Sequence, residues 1–96
     1  MRQRYIVTYD IAGPSRLRKV FKLLKGYGEH LQFSVFRCDL TAMRLAQVKD
    51  ELRQIIHALN DQVLIVDVGP TEGRGAEVVE SLGKAYVDEG RKPNVV

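Results

Sequence analysis

Glu29-His30-Leu31-Gln32-Phe33-Ser34-Val35-Phe36-Arg37-Cys38-Asp39-Leu40 is the stretch on which the fold turns. Leu31, Phe33 and Val35 alternate with Gln32, Ser34 and Phe36, the two-residue period of a β-strand. The alternation fits one bent strand and equally fits two strands broken near Ser34. Periodicity does not choose between them. The flanking segments narrow the options. Upstream, Arg4-Tyr5-Ile6-Val7-Thr8-Tyr9-Asp10 is β-branched and aromatic and reads as a strand ending at Asp10. A loop follows, in which Pro14 suits a helix entry and Ser15 a cap. Residues 16–25 then place Leu17, Val20, Phe21 and Leu24 on one helical face, with Arg16, Arg18, Lys19, Lys22 and Lys25 on the rest. Gly26-Tyr27-Gly28 stops this helix.

Downstream, Thr41 is placed to cap a helix running to about Leu59, with an apolar stripe of Leu45, Val48, Leu52, Ile55, Ile56 and Leu59. Asn60-Asp61 reads as a turn. Residues 62–68 form the last clear strand, and the unbroken run Val63-Leu64-Ile65-Val66 predicts a central position covered on at least one face. Residues 76–82 suggest a short helix, and Asn94-Val95-Val96 a stub of strand without an evident mate. The order is therefore strand, helix, β region, helix, strand. If the β region holds two strands, the pattern is α+β, a ferredoxin-like βαββαβ arrangement with both helices on one face of an antiparallel sheet. The other face is then free to bury against a second copy.

At 96 residues and 45 % apolar composition the chain makes one domain with a thin core, so dimerisation is a natural source of further burial. Residues 70–96 are expected to serve as a C-terminal extension for dimerisation or docking. The single cysteine, Cys38, forms no intrachain disulfide, and His30 and His57 are too far apart in sequence to suggest a zinc site. The expected setting is the reducing cytoplasm. The apolar run after Arg2-Gln3-Arg4 is too short for a signal peptide or a membrane span. Net charge is +3, but residues 1–48 carry +6 and residues 49–96 carry −3. Such a basic half is what a phosphate backbone attracts, although a solvated helix face has the same composition.

Asp10 leads the candidates for chemistry. A carboxylate at a strand end, before a Gly-Pro loop, is free to reach a ligand, and carboxylates hold Mg²⁺ or Mn²⁺ for phosphodiester hydrolysis. Taken alone, an aspartate there more simply caps its loop through backbone amides. One carboxylate is also too few for a metal, unless a two-fold axis brings its copy alongside. Tyr9 points to the opposite face. Arg16, Arg18 and Lys19 lie where they can hold phosphates or merely be solvated. Phe36 has the ring to stack on a base, and equally the place of a core residue. Asp39 and Asp67 are lesser metal candidates. Ser34 has no evident base and reads as a backbone-bonding residue at the strand break. His30 and His57 read as surface. Gly73-Arg74-Gly75 lacks the spacing of a phosphate loop.

Tyr5-Ile6-Val7-Thr8-Tyr9-Asp10-Ile11, then Arg16-Leu17-Arg18-Lys19-Val20, then Gln32-Phe33-Ser34-Val35-Phe36, and finally Asp61-Gln62-Val63-Leu64-Ile65 occur in this order. Together they closely resemble the CRISPR-associated protein 2 family over nearly the whole chain. The resemblance implies two strands within residues 29–40. It also implies a homodimer joined through the sheet faces, in which a C-terminal strand crosses to the partner's sheet, giving Asn94-Val95-Val96 a mate. It implies a metal-dependent endonuclease on single-stranded RNA or double-stranded DNA, using Mg²⁺ or Mn²⁺. Alternatively, it implies a non-catalytic adaptor between CRISPR-associated integrase dimers and DNA in spacer acquisition. Carried over by residue, the catalytic pair is Asp10 and Tyr9, with Asp10 the metal ligand. The nucleic-acid contacts fall on Arg16, on Arg18 or Lys19, and on Phe36. Some members carry arginine where this chain has His30.

Overall fold

The computed structural model describes residues 1–72 and 80–84. Strand β1 spans Gln3–Asp10, helix α1 Pro14–Lys25, β2 Glu29–Gln32, β3 Val35–Leu40, α2 Ala42–Ile55 and β4 Gln62–Pro70. The β region is thus two strands, separated at Phe33-Ser34. The four strands form one antiparallel sheet in the order β2-β3-β1-β4. This is the ferredoxin-like βαββαβ α+β fold.

The alternation along β1 sets the layers. Tyr5, Val7 and Tyr9 are buried on one face, joined by Phe36, Cys38 and Leu40 of β3. Val20 and Leu24 of α1 and Val48 and Leu52 of α2 close over them. A fully buried residue such as Leu24 contributes about 1.5–3 kcal/mol relative to leaving it in water. The opposite face carries Ile6 and Thr8, set in register against Val66 and Leu64. The chain reverses from α1 into β2 with backbone close to backbone: a Cβ at Gly28 would lie 2.6 Å from the Cys38 sulfur and closer still to the Arg37 carbonyl. Only glycine lets the strands come this near.

Several boundaries differ from the expectations. The cap of α1 is Gly13, which has no side chain to offer, and Pro14 takes the first helical position. Ser15 therefore lies inside the helix and does not cap it. Thr41 does cap α2, its hydroxyl accepting from Arg44 N–H at 3.2 Å. Helix α2 stops at Ile55 rather than Leu59 because the Asp61 carboxylate takes the His57 N–H at 2.7 Å. A continuing helix would have given that proton to the carbonyl of residue 53. Leu59 is consequently 90 % exposed. Among the described residues strand β4 is an edge strand rather than a central one, hydrogen-bonded to β1 alone. Its apolar run serves both faces: Val63 and Ile65 pack on the core, whereas Leu64 and Val66 remain half exposed. Of the helix expected at residues 76–82, positions 76–79 lie outside the described residues and 80–82 are not helical. Asn94-Val95-Val96 lies outside them as well. Among the described residues no helix is long and apolar enough to cross a membrane.

Candidate nucleic-acid and metal site at the end of the first strand

Asp10 is the last residue of β1, held in register against Gln62, and its side chain is exposed. It makes no hydrogen bond or ion pair among the described residues, so it does not cap the loop that follows it. That role belongs to Asp61, which the sequence showed only as part of a turn. The Asp61 side chain is wholly buried, and it accepts from Ala12 N–H at 2.8 Å, His57 N–H at 2.7 Å, and Arg16 through Nε at 2.7 Å and Nη2 at 3.2 Å. The Arg16 guanidinium, followed by the His57 and Ala12 amides, outweighs burial and holds the Asp61 carboxyl well below the usual carboxylate range. One carboxylate thereby ties the β1–α1 loop, the first turn of α1 and the entry to β4.

Arg16 is fixed from a second side. A Cβ on Gly13 would lie 2.9 Å from the Arg16 Cζ and Nη1 atoms, so the guanidinium rests directly on the glycine backbone. With Nε and Nη2 committed to Asp61, Nη1 is the group left for an outside acceptor, and 31 % of the side chain is exposed. Arg18 and Lys19 follow on the exposed face of α1 and make no ion pair among the described residues. Strand β1 therefore ends in a solvated carboxylate, and the helix that follows its loop opens with one locked cation, Arg16, and two solvated ones, Arg18 and Lys19.

The remaining candidates fall elsewhere. Phe36 is fully buried, with its ring 5.6 Å from Phe21, 5.0 Å from His30 and 6.2 Å from Tyr9, so its faces are taken up by the core. Tyr9 is also core, its hydroxyl donating to the Phe33 carbonyl at a long 3.5 Å, and burial pushes its pKa up, which keeps the phenol neutral. Asp39 is clamped by Arg4 through Nε at 2.7 Å and Nη2 at 2.9 Å, and that ion pair lowers its pKa. Asp67 bonds Gln3 and the Gly69 amide. In register Asp39 opposes Arg4 and Asp67 opposes Tyr5, six and five residues along β1 from Asp10, or roughly 17–20 Å. Neither can share an ion with Asp10. Among the described residues no three His, Cys, Asp or Glu side chains gather to hold a metal. Mg²⁺ is content with one or two carboxylates and several waters. The donor set thus suits such an ion if a second copy brings its own Asp10.

Two helices on one face of a four-stranded antiparallel sheet, with a free carboxylate and a basic helix at one end, define a ferredoxin-like α+β protein. Residues 1–73 match the model of the CRISPR associated protein Cas2 family, and the chain belongs to that family. It is 44 % identical over 92 residues to a CRISPR-associated endoribonuclease Cas2 of Rhodospirillum rubrum, covering 96 % of this chain and 89 % of that protein. It is 40 % identical over 86 residues to one of Geobacter sulfurreducens, covering 90 % of each. The crystal structure of Streptococcus pyogenes Cas2 superposes with a TM-score of 0.72 at 35 % identity, covering 83 % of this chain and 99 % of that one.

Proposed function

We propose that the chain is a homodimeric, metal-dependent endonuclease of CRISPR spacer acquisition, hydrolysing phosphodiester bonds of RNA or DNA. The observation that carries this reading is the exposed Asp10 carboxylate, unpartnered among the described residues and followed across one loop by the locked Arg16, in a chain whose relatives are named endoribonucleases. A divalent cation, Mg²⁺ or Mn²⁺, when bound there supplies charge stabilisation at the phosphoryl group and activates water. Asp10 from each of two copies would hold it. Arg16 meets a phosphate oxygen with Nη1 and pays no ordering entropy to do so, since Asp61 and Gly13 already fix it. Arg18 and Lys19 neutralise neighbouring phosphates. Tyr9 supports the site from within the core.

Cleavage of a labelled RNA and a labelled duplex DNA in Mg²⁺ tests the assignment. Asp10→Ala should lose cleavage by about 100-fold or more while nucleic-acid binding survives. A variant that cuts as fast as wild type would remove Asp10 from the site.

A second reading is favoured by the same geometry, because α1 offers phosphate-binding cations that need no chemistry. In it the dimer is a structural adaptor that bridges CRISPR-associated integrase dimers and protospacer DNA. Spacer acquisition supported at wild-type level by Asp10→Ala would select this reading over the nuclease.

A further inference from the structure

Phe33 is 92 % exposed at the turn between β2 and β3. Lone exposed apolar side chains are ordinary on protein surfaces. What distinguishes Phe33 is how firmly its backbone is held. Its carbonyl accepts from the His30 ring Nε2 at 2.7 Å and from the Tyr9 hydroxyl at 3.5 Å, and the next carbonyl, Ser34, accepts from Tyr9 N–H at 3.1 Å. Tyr9 is the immediate neighbour of Asp10, so the hairpin tip is stapled to the strand end that carries the candidate metal ligand. The tip is also joined to the basic helix, since the His30 ring meets Phe21 of α1 at 5.0 Å and the Lys25 ammonium lies 5.8 Å from that Phe21 ring. The exposed apolar side chains of the open sheet face, Leu64 and Val66, lie on β4, at the opposite edge from β2. The tip that carries the Phe33 ring is thus tied on one side to the strand end bearing Asp10 and on the other to helix α1 and its cations, a setting that suits a polyanion with a flat apolar part.

We infer that the Phe33 ring is a stacking platform for one unpaired nucleobase of a single-stranded nucleic acid, presented by the hairpin beside Asp10. This rests on the nucleic-acid reading above. Its chemistry is that of single-strand binders in general, in which backbone phosphates follow cations and bases stack on aromatic faces without sequence preference.

The test uses the Phe33→Ala and Phe33→Trp variants of the whole chain. The protein has no tryptophan, so an indole at this position is the only one present. Titration with an unstructured single-stranded RNA at fixed salt should quench that indole, and Phe33→Ala should bind about 5- to 100-fold more weakly than wild type, the effect of removing one base stack. An RNA carrying a single abasic site, moved along its length, should lose affinity for wild type at one position and lose none there for Phe33→Ala. Single-stranded DNA should behave like the RNA, and a blunt duplex of the same sequence should not quench. Equal affinity of Phe33→Ala and wild type overturns the inference, as does equal quenching by the duplex. Dissociation of Phe33→Ala to a smaller species in sedimentation, with RNA affinity per folded unit unchanged, overturns it in favour of a second copy as the occupant. Wild type that binds no nucleic acid at all defeats the functional reading instead, so the two failures are distinguishable.

Discussion

Among single residues, Asp61 carries a pH dependence with a definite sign. Its folded pKa is depressed, chiefly by Arg16, so its contribution to stability is fully present above the unfolded carboxylate value of about 3.9 and is lost as pH falls through the folded one. Urea midpoints measured by circular dichroism at pH 7, 5 and 3 should fall steeply below pH 4 in wild type. Asp61→Asn should be less stable at pH 7 and lose less between pH 5 and 3; parallel curves for the two proteins would refute the assignment. Cys38 makes a second expectation. Burial, with the Asp39 charge behind it, pushes its thiol up to about 12. A thiol reagent at pH 8 should therefore label it only after denaturant is added. The sequence exposed Asp10 as a strand end because a β-branched run stops there. It hid Asp61, because two of its partners, Arg16 and Ala12, lie 45 and 49 residues away, and the nearby His57 amide marks no more than a turn. Arg16 stood out as a phosphate ligand for its charge and place; the carboxylate that orients it did not.

At the level of elements, one glycine and one helix cap set the stability expectations. Gly28→Ala forces a Cβ onto Cys38 and onto backbone that cannot yield, and should cost about 1–3 kcal/mol in urea unfolding. Thr41→Ala removes the α2 cap and should cost about 1 kcal/mol. Element type and order were readable from periodicity, but three features were not. The break at Phe33-Ser34 is invisible to a two-residue period, since both the one-strand and two-strand forms keep it. The early stop of α2 depends on Asp61 competing for the His57 amide. The edge position of β4 contradicts its continuous apolar run, because such a run reports that both faces of a strand avoid water and says nothing of how many strands flank it.

For the whole molecule, the charge asymmetry becomes a thermodynamic expectation. Binding that runs through Arg16, Arg18 and Lys19 releases counterions, so log affinity should fall linearly with log salt. Replacing Arg18 or Lys19 by alanine should flatten that slope by about one unit for each phosphate no longer neutralised, with little change in sequence preference. Affinity indifferent to salt would exclude the basic helix as the track. The open sheet face is the other whole-molecule feature. Ile6, Leu64 and Val66 lie there without a covering layer from the described residues, which is why the proposed pairing of two copies falls naturally on that face.

Asp10 stands alone among the described residues of its chain, and that solitude has a genetic consequence. When a site is assembled from one carboxylate per copy, a cell carrying equal amounts of intact and Asp10→Ala chains forms about half its pairs mixed and about a quarter doubly mutant, and only about a quarter of the pairs retain both carboxylates. The defect would therefore be partly dominant: one faulty allele would draw about half of the healthy chains into mixed pairs, whereas a simple null allele would halve the number of chains and leave every remaining pair intact.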